Sequence, residues 1–180
     1  KEKEDAEREV ERLERESRRV NRESEEEIKR LLRESEKVNE DSEREVRRIR
    51  EELERLLRKK EDDEARRMVE ELEKILKEVL ERSSELVERD REILERILRE
   101  SSRLVDEDRR ILEEALRVVR EGVDIDKVLT ELRRSSEEVT RLSEELIERV
   151  ARSSRKVKEL SRKLIEELRK VLKDVARRLE

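Results

Sequence analysis

The side chains able to do chemistry here are hydroxyls, amides and carboxylates that return at an interval of 18 residues. Ser17 returns as Ser35, and Asn21 returns as Asn39. Such groups form hydrogen bonds between helices, whereas general acid-base catalysis needs a titratable side chain placed in a pocket. We therefore predict a structural role for them, no catalytic residue and no enzyme activity.

Two aspartates, Asp90 and Asp108, project from the middle of an apolar stripe, at the position that Leu72 occupies in the repeat before Asp90. A buried carboxylate needs hydrogen-bond donors, because burial without a partner costs free energy. The donors that we expect are Arg33, Ser153 and Ser154 for Asp90, and Arg15, Ser136 and Thr140 for Asp108.

The polar residues of the stripes are predicted to meet in hydrogen-bonded layers that set helix register, as one buried Asn does in coiled coils. In an antiparallel pair of helices, the numbers of two residues at the same level have a constant sum. We expect this sum to be about 123 for helices 1 and 2 and about 247 for helices 2 and 3. Asn21 then lies beside Ser102, and Asn39 lies beside Ser84. The same sums bring Ser143 near Ser102 and Ser161 near Ser84. The predicted network comprises Ser17, Asn21, Ser24, Ser35, Asn39, Ser42, Ser84, Asp90, Ser102, Asp108, Ser136, Thr140, Ser143, Ser154 and Ser161.

The alternative is that some serines lie at the edge of a stripe, where they face water or bond to the carbonyl four residues earlier. It is an equally good interpretation for one serine of each Ser-Ser doublet, with the other serine then pointing inward. The serines concerned are Ser83, Ser101, Ser135 and Ser153.

Long helices must position these groups. Eighteen residues make five turns of 3.6 residues, so the stripe does not drift around the helix and the helices should be straight. The predicted helices cover about 5–58, 64–121 and 125–179. Asp62 or Asp63 is the expected N-cap after the first turn, and Gly122 ends the second helix.

These signals predict an all-α fold, a straight up-down-up antiparallel three-helix bundle whose helices have about 50–60 residues each. The whole chain, 1–180, is predicted to form a single domain. The rival interpretation is one uninterrupted helix from Asp5 to Glu121, because nothing in the segment 59–61 forbids a helix.

Composition excludes several classes of function. The chain has no histidine, cysteine or aromatic residue, and its net charge of -5 comes from 50 basic and 55 acidic residues. Zinc, thiol and di-metal chemistry lack their usual ligands, and nucleic-acid binding lacks a basic face. No apolar run approaches the about 18 residues of a membrane span. We therefore expect no cofactor, metal, nucleic acid or membrane partner, a soluble protein and no targeting signal.

The width of the apolar stripes bears on assembly. At 100° per residue, the stripe covers about 140° or more on helices 2 and 3 but only about 80–120° on helix 1. A monomer accommodates this if helix 1 lies in the groove between the other two. A homo-oligomer with helices 2 and 3 inside satisfies it as well, although we favour the monomer.

The 18-residue repeat, the Ser-Ser and Asn positions in the stripe, the Gly-Val-Asp turn at 122–124 and the absence of aromatics resemble de novo designed, parametrically generated helical bundles with buried hydrogen-bond networks. The resemblance covers almost the whole chain. It implies a very stable structural scaffold with no natural substrate, no required partner and recombinant expression in the cytoplasm. The alternative is a helix-binding or self-assembling module, either a homo-oligomer or the receptor of a designed helical partner.

Overall fold

Three long helices make up the protein, as predicted. The computed structural model describes residues 2–59 and 62–179, and in these ranges the elements are α1 (Glu2–Lys59), α2 (Asp63–Glu121) and α3 (Ile125–Leu179), without any strand. The fold is therefore an all-α three-helix bundle, and the predicted helix bounds are correct to within a few residues. The uninterrupted helix is wrong, since α1 ends before Asp63; residues 60 and 61 of the predicted first turn lie outside the described residues.

Asp62 is the N-cap of α2. Its Oδ1 accepts hydrogen bonds from the backbone amides of Glu64 at 2.9 Å and Ala65 at 3.1 Å. The amides of the first helical turn have no partner inside the helix, so a side-chain oxygen here stabilises the start. Of the two predicted caps, Asp62 accepts these bonds.

The turn between α2 and α3 contains two residues with positive φ. Gly122 has φ of 78° and its amide donates to the carbonyl of Val119 at 3.0 Å, which ends α2. Asp124 has φ of 45°, and its carbonyl accepts the first hydrogen bond of α3 from the amide of Val128 at 3.0 Å. Glycine adopts the left-handed conformation without the strain that a Cβ brings.

Replacing Gly122 by alanine is expected to lower the free energy of unfolding by about 1 kcal/mol, because alanine is strained at this φ. A Cβ at residue 122 also meets the Cε of Lys3 at 2.7 Å, but that flexible side chain can move away. Urea unfolding followed by circular dichroism measures the loss. Gly122→Asn is the control, because asparagine tolerates positive φ; equal losses in both variants would show that the contact with Lys3, not the backbone, is responsible.

Contacts divide the chain into two units. Unit 1 comprises Lys1–Leu31 with Ile93–Arg152, and unit 2 comprises Leu32–Glu92 with Ser153–Glu180. Each unit contains a segment of all three helices and has a hydrophobic core of its own. The single-domain organisation stays a prediction.

In unit 1 the core lies where α2 ends and α3 begins. Its buried residues are Ala6, Val10, Leu13, Leu112, Ala115, Val119 and Leu132. In unit 2 the core lies where α1 ends and α2 begins. Its buried residues are Val46, Ile49, Leu53, Ala65, Val69, Leu72, Leu76, Ile165, Leu168, Leu172 and Val175. Spacings of three and four residues place each set on one face of its helix.

Candidate functional site

Asp90 of α2 lies in the interior of unit 2, where α3 supplies its hydrogen-bond donor. Only 6% of Asp90 is exposed, and the hydroxyl of fully buried Ser154 donates to its Oδ2 at 2.7 Å. This is one of the contacts predicted from the sequence. Arg33, another predicted donor, is exposed, since a guanidinium is costly to bring out of water while a hydroxyl in the stripe is already inside.

A second polar pair joins the same two helices of unit 2. The hydroxyls of Ser83 and Ser161, both fully buried, share a hydrogen bond. The prediction that Ser84 meets Ser161 is wrong, because the bond is made one residue earlier. Ser83 shares its helix face with buried Leu76 and Asp90, at spacings of seven, whereas Ser84 is rotated away by about 100° and is only half-buried.

Lys158 is a buried charge in unit 2 that the sequence analysis missed. Its exposure is 3%, and its Nζ donates to Oε2 of Glu34 in α1 at 3.5 Å. Burial lowers the pKa of Lys158 below 10.5, and the negative charges of Glu34 and Asp90 oppose that shift. The spacing carried a signal: residue 158 lies four after Ser154 and three before Ser161, on the same helix face.

The polar residues of α1 in unit 2 take three different environments. Ser35 is fully buried, and Ser42 is buried with 6% exposure. Asn39 is half-buried, and its Oδ1 is enclosed without a hydrogen-bond partner. Its predicted contact with Ser84 is therefore not made through this atom, and an enclosed amide oxygen without a donor is an unfavourable element of the core.

In unit 1 a predicted polar residue of α1 makes a direct hydrogen bond to one of α2. The hydroxyl of Ser17 donates to Oδ2 of Asp108, and both residues are half-buried. Asp108 is therefore bonded from α1, as its predicted level with Arg15 implies, but the donor is the short serine and Arg15 is exposed. The reason is the same as at Asp90, since the serine hydroxyl already lies inside the stripe.

Several predicted residues of unit 1, with the bonded pair Ser17 and Asp108 among them, surround one cavity of about 230 Å³. Its polar lining consists of Ser17, Asn21, Ser24, Arg96, Glu100, Ser101, Asp108, Thr140 and Ser143. Ser102 is exposed, so the prediction that it is the inward serine of its doublet is wrong and Ser101 takes that place. Asn21 still lies in one groove with Ser101 and Ser102. In the doublet 135–136, Ser135 is exposed and Ser136 is half-buried. In the doublet 153–154, Ser153 is exposed and Ser154 is buried. The second serine of these two doublets is therefore the inward one, as predicted.

No protein family model, curated protein or solved structure matches the chain.

Ion pairs tie α1 to α3 at one constant separation in the sequence. Arg133 donates to Glu9 at 2.9 Å in unit 1, and Arg169 donates to Glu45 at 2.6 Å in unit 2; both pairs are 124 residues apart, as are Glu34 and Lys158. Arg169 holds the pKa of Glu45 below its ordinary value. A constant difference is the register of two parallel helices, so α1 and α3 run in the same direction in unit 2, where two of the three pairs lie.

The pKa of Glu9 falls from 4.5 to about 2. The hydrogen bond from Arg12 is the largest cause, burial opposes it, and the hydrogen bond from Arg133 adds to it. The folded chain therefore binds this proton less tightly than the unfolded chain. The stabilisation from ionised Glu9 is complete above the ordinary value and is lost as the pH falls from about 4.5 towards about 2.

We expect the difference in unfolding free energy between the parent chain and the Glu9→Gln variant to shrink over that same range. Urea unfolding of both proteins at about pH 6, 4 and 2.5 measures it. A difference that stays constant with pH would mean that the carboxylate of Glu9 is not stabilised by Arg12 and Arg133.

The chemistry that these groups support is hydrogen bonding within the bundle. In the described ranges, no three His, Cys, Asp or Glu residues are placed to hold a metal ion. Within those ranges, too, no helix is long and apolar enough to cross a membrane.

Proposed function

We propose that the chain is a de novo designed structural scaffold, without a substrate or cofactor, in which buried polar pairs set the register of the helices. The observation that carries this proposal is the pair of contacts between α2 and α3 in unit 2. The residue numbers of the two bonded pairs, 83 with 161 and 90 with 154, both sum to 244, which means that the two pairs share one antiparallel register. All four side chains are buried. Two polar contacts in the same antiparallel register favour one alignment of the two helices.

Apolar residues alone discriminate poorly between alignments, because Leu, Ile and Val replace one another at the spacing of the stripe. A displacement of α3 by four residues that brings Val157 opposite Ser83 also brings Val150 opposite Asp90. A buried hydroxyl without a partner costs about 1–3 kcal/mol. The polar pairs therefore penalise the displaced bundle more than they stabilise the native one, which is a role in specificity.

The proposed design origin has support in the sequence itself. The chain has no proline, one glycine, no aromatic residue and 58% charged residues, and its stripe positions return every 18 residues. Idealised helices without irregular elements are the usual choice in designed proteins.

The test removes the polar groups of unit 2 together and then measures register. Two cysteines introduced at Glu81 and Lys163, both exposed and in the same register, carry spin labels; the chain has no other cysteine. We expect one narrow distance in the parent and several distances in the apolar variant, with thermal stability unchanged or higher. The apolar variant is Ser83→Ala, Asp90→Leu, Ser154→Ala, Lys158→Met and Ser161→Ala.

The matched control removes exposed serines from the same helices. Ser102→Ala, Ser135→Ala and Ser153→Ala are expected to leave the single distance unchanged, because these side chains face water. A single narrow distance in the apolar variant would refute the register-setting role.

A further inference from the structure

The polar site of unit 2 has a counterpart in unit 1 that is one 18-residue repeat away in the sequence of α2 and α3. A step of 18 residues forward on α2 and backward on α3 leaves the sum of two facing residue numbers unchanged at 244. Four of the five corresponding pairs have the same residue type, and the exception is lysine in unit 2 against threonine in unit 1. The pairs are Ser83 with Ser101, Asp90 with Asp108, Ser154 with Ser136, Ser161 with Ser143, and Lys158 with Thr140.

In unit 2 the lysine provides the acidic group with a cation. Lys158 is 3% exposed, and its attraction to Asp90 opposes the effect of burial on the pKa of Lys158. A buried carboxylate needs such a partner, because an isolated charge is costly to keep out of water. The unit 2 site therefore combines an aspartate, serine hydroxyls and an ammonium group.

In unit 1 the equivalent aspartate has a hydroxyl donor but no cation. Asp108 is half-buried and accepts a hydrogen bond from Ser17. Among residues 2–59 and 62–179, no lysine or arginine forms an ion pair with it. Thr140 stands where a lysine would extend a four-carbon stem and an ammonium group. The charge of Asp108 is therefore left without the cation that Lys158 supplies in unit 2.

A cavity takes the place of the missing lysine side chain. Thr140 and Asp108 both line the cavity of about 230 Å³, and so do Ser101 and Ser143. An apolar cavity of about 150 Å³ holds a benzene molecule, so this space suits a ligand of about nine non-hydrogen atoms. The lining extends along α2 from Arg96 to Asp108, which is about 18 Å at 1.5 Å per residue. The site therefore fits a ligand that is longer than one lysine side chain.

The rest of the cavity wall is mainly apolar. Val20 is buried, and Ile97 and Ile147 are half-buried. Exposed Leu104 and Leu146 also belong to the lining, so the cavity opens to solvent between α2 and α3. An alkyl chain that fills this space loses contact with water and gains contact with the wall, which favours binding.

Charge selects the ligand further. Arg96 and Glu100, which also line the cavity, are exposed and of opposite sign, and their four-residue spacing on α2 makes their charges compensate. Asp108 therefore makes the net charge of the lining negative. An ammonium group has three hydrogen-bond donors. The acceptors on the wall include the carboxylate of Asp108 and the hydroxyls of Thr140 and Ser143.

We propose that the cavity of unit 1 binds a primary alkylammonium ion of about eight carbons. The ammonium group lies beside Asp108, as the charge of Lys158 lies near Asp90 in unit 2, and it donates hydrogen bonds to Asp108 and Thr140. The alkyl chain packs on the apolar wall around Ile97. This inference depends on the cavity of unit 1, and not on the register-setting role of the polar pairs in unit 2.

The test measures binding to the full chain by isothermal titration calorimetry at about pH 7, where an alkylamine is protonated as lysine is. The probes are octylammonium, octan-1-ol and octanoate, which have the same chain length and differ in charge. We expect the Kd of octylammonium to be at least about 10-fold lower than that of octan-1-ol, since a charge-assisted hydrogen bond is stronger than a neutral one. Octanoate should bind most weakly, because its carboxylate would face that of Asp108.

Two variants separate the charge of the cavity from a general attraction of cations to an acidic chain. Asp108→Asn should raise the Kd of octylammonium to about that of octan-1-ol, because the amide keeps the shape of the side chain and removes its charge. Glu107→Gln makes the same charge change at an exposed neighbour that does not line the cavity. It should leave the Kd of both probes unchanged.

A third variant introduces the lysine that stands at this repeat position in unit 2. Thr140→Lys should place an ammonium group of the chain itself beside Asp108, so that octylammonium binding is lost and the thermal midpoint rises. The control is Thr130→Lys, at an exposed threonine of the same helix, which should leave the affinity for octylammonium unchanged. Circular dichroism verifies that each variant keeps the helical content of the parent.

The proposal is wrong if octylammonium does not bind the parent, if octan-1-ol binds equally well, or if Thr140→Lys keeps the affinity of the parent while its fold is intact. Equal weakening by Asp108→Asn and Glu107→Gln would show attraction to the whole surface and would also overturn it. None of these results concerns the spin-label distances in unit 2, so failure here is distinguishable from failure of the scaffold proposal.

Discussion

Replacing Lys158 by methionine is expected to lower the free energy of unfolding by about 3 kcal/mol. Lys158 is 3% exposed, bonds to Glu34 and contributes a positive charge near Asp90, which is 6% exposed. Without Lys158, the buried carboxylate of Asp90 keeps the hydroxyl of Ser154 but loses its nearby cation. A buried charge deprived of its partner is among the most destabilising defects in a core.

The double variant Lys158→Met with Asp90→Leu should recover most of the loss, because it removes both buried charges and adds apolar surface. Urea unfolding of the parent, both single variants and the double variant gives the coupling energy. Lys156→Met, an exposed lysine on the same helix, is the control and should change stability by less than about 0.5 kcal/mol. Additive losses in the double variant would mean that Asp90 and Lys158 do not interact.

The pH dependence provides a second readout of the same lysine. Burial lowers the pKa of Lys158 below 10.5, so the unfolded chain binds its proton more readily than the folded chain in the interval between the two values. The unfolding free energy of the parent should therefore rise with pH within that interval, as the lysine loses its proton, and this rise should be missing in Lys158→Met.

The helices and their ends were predictable because the signals for them are local. The 3.6-residue periodicity specifies helix over almost the whole chain, and Asp62 and Gly122 have side-chain and backbone properties suited to helix ends. Only the few residues at each end differ, where capping and fraying make the limits of a helix ambiguous.

The polar contacts were predictable to within one residue, which is not always enough. The contact of Asp90 with Ser154 follows from the antiparallel register, but the choice between Ser83 and Ser84 depends on a rotation of 100° about the axis of α2. When the apolar stripe is two residues wide, the sequence places the stripe correctly and leaves its centre undefined. The centre is decided by packing against the other helices.

The burial of Lys158 and the cavity of unit 1 were missed for different reasons. Lysine in so charged a sequence is expected on the surface, although its position between Ser154 and Ser161 marks the inner face. The cavity arises because the segments of α1, α2 and α3 in unit 1 leave about 230 Å³ between them, a volume that depends on how closely the helices approach. The wide stripes of α2 and α3 did signal that these helices require more neighbours than α1 does.

Leucine truncation is expected to distinguish the packed core of unit 2 from the cavity of unit 1, which Leu104 lines. Leu53→Ala should lower the free energy of unfolding by about 3 kcal/mol, because Leu53 is fully buried in the unit 2 core and its removal leaves a cavity. Leu104→Ala makes the same chemical change at a side chain that is 54% exposed, and it should cost less than about 1 kcal/mol. Urea unfolding of the two variants makes the comparison. A Leu104→Ala variant that loses as much free energy of unfolding as Leu53→Ala would mean that the chain buries the side chain of Leu104 in solution, against its exposure of 54%.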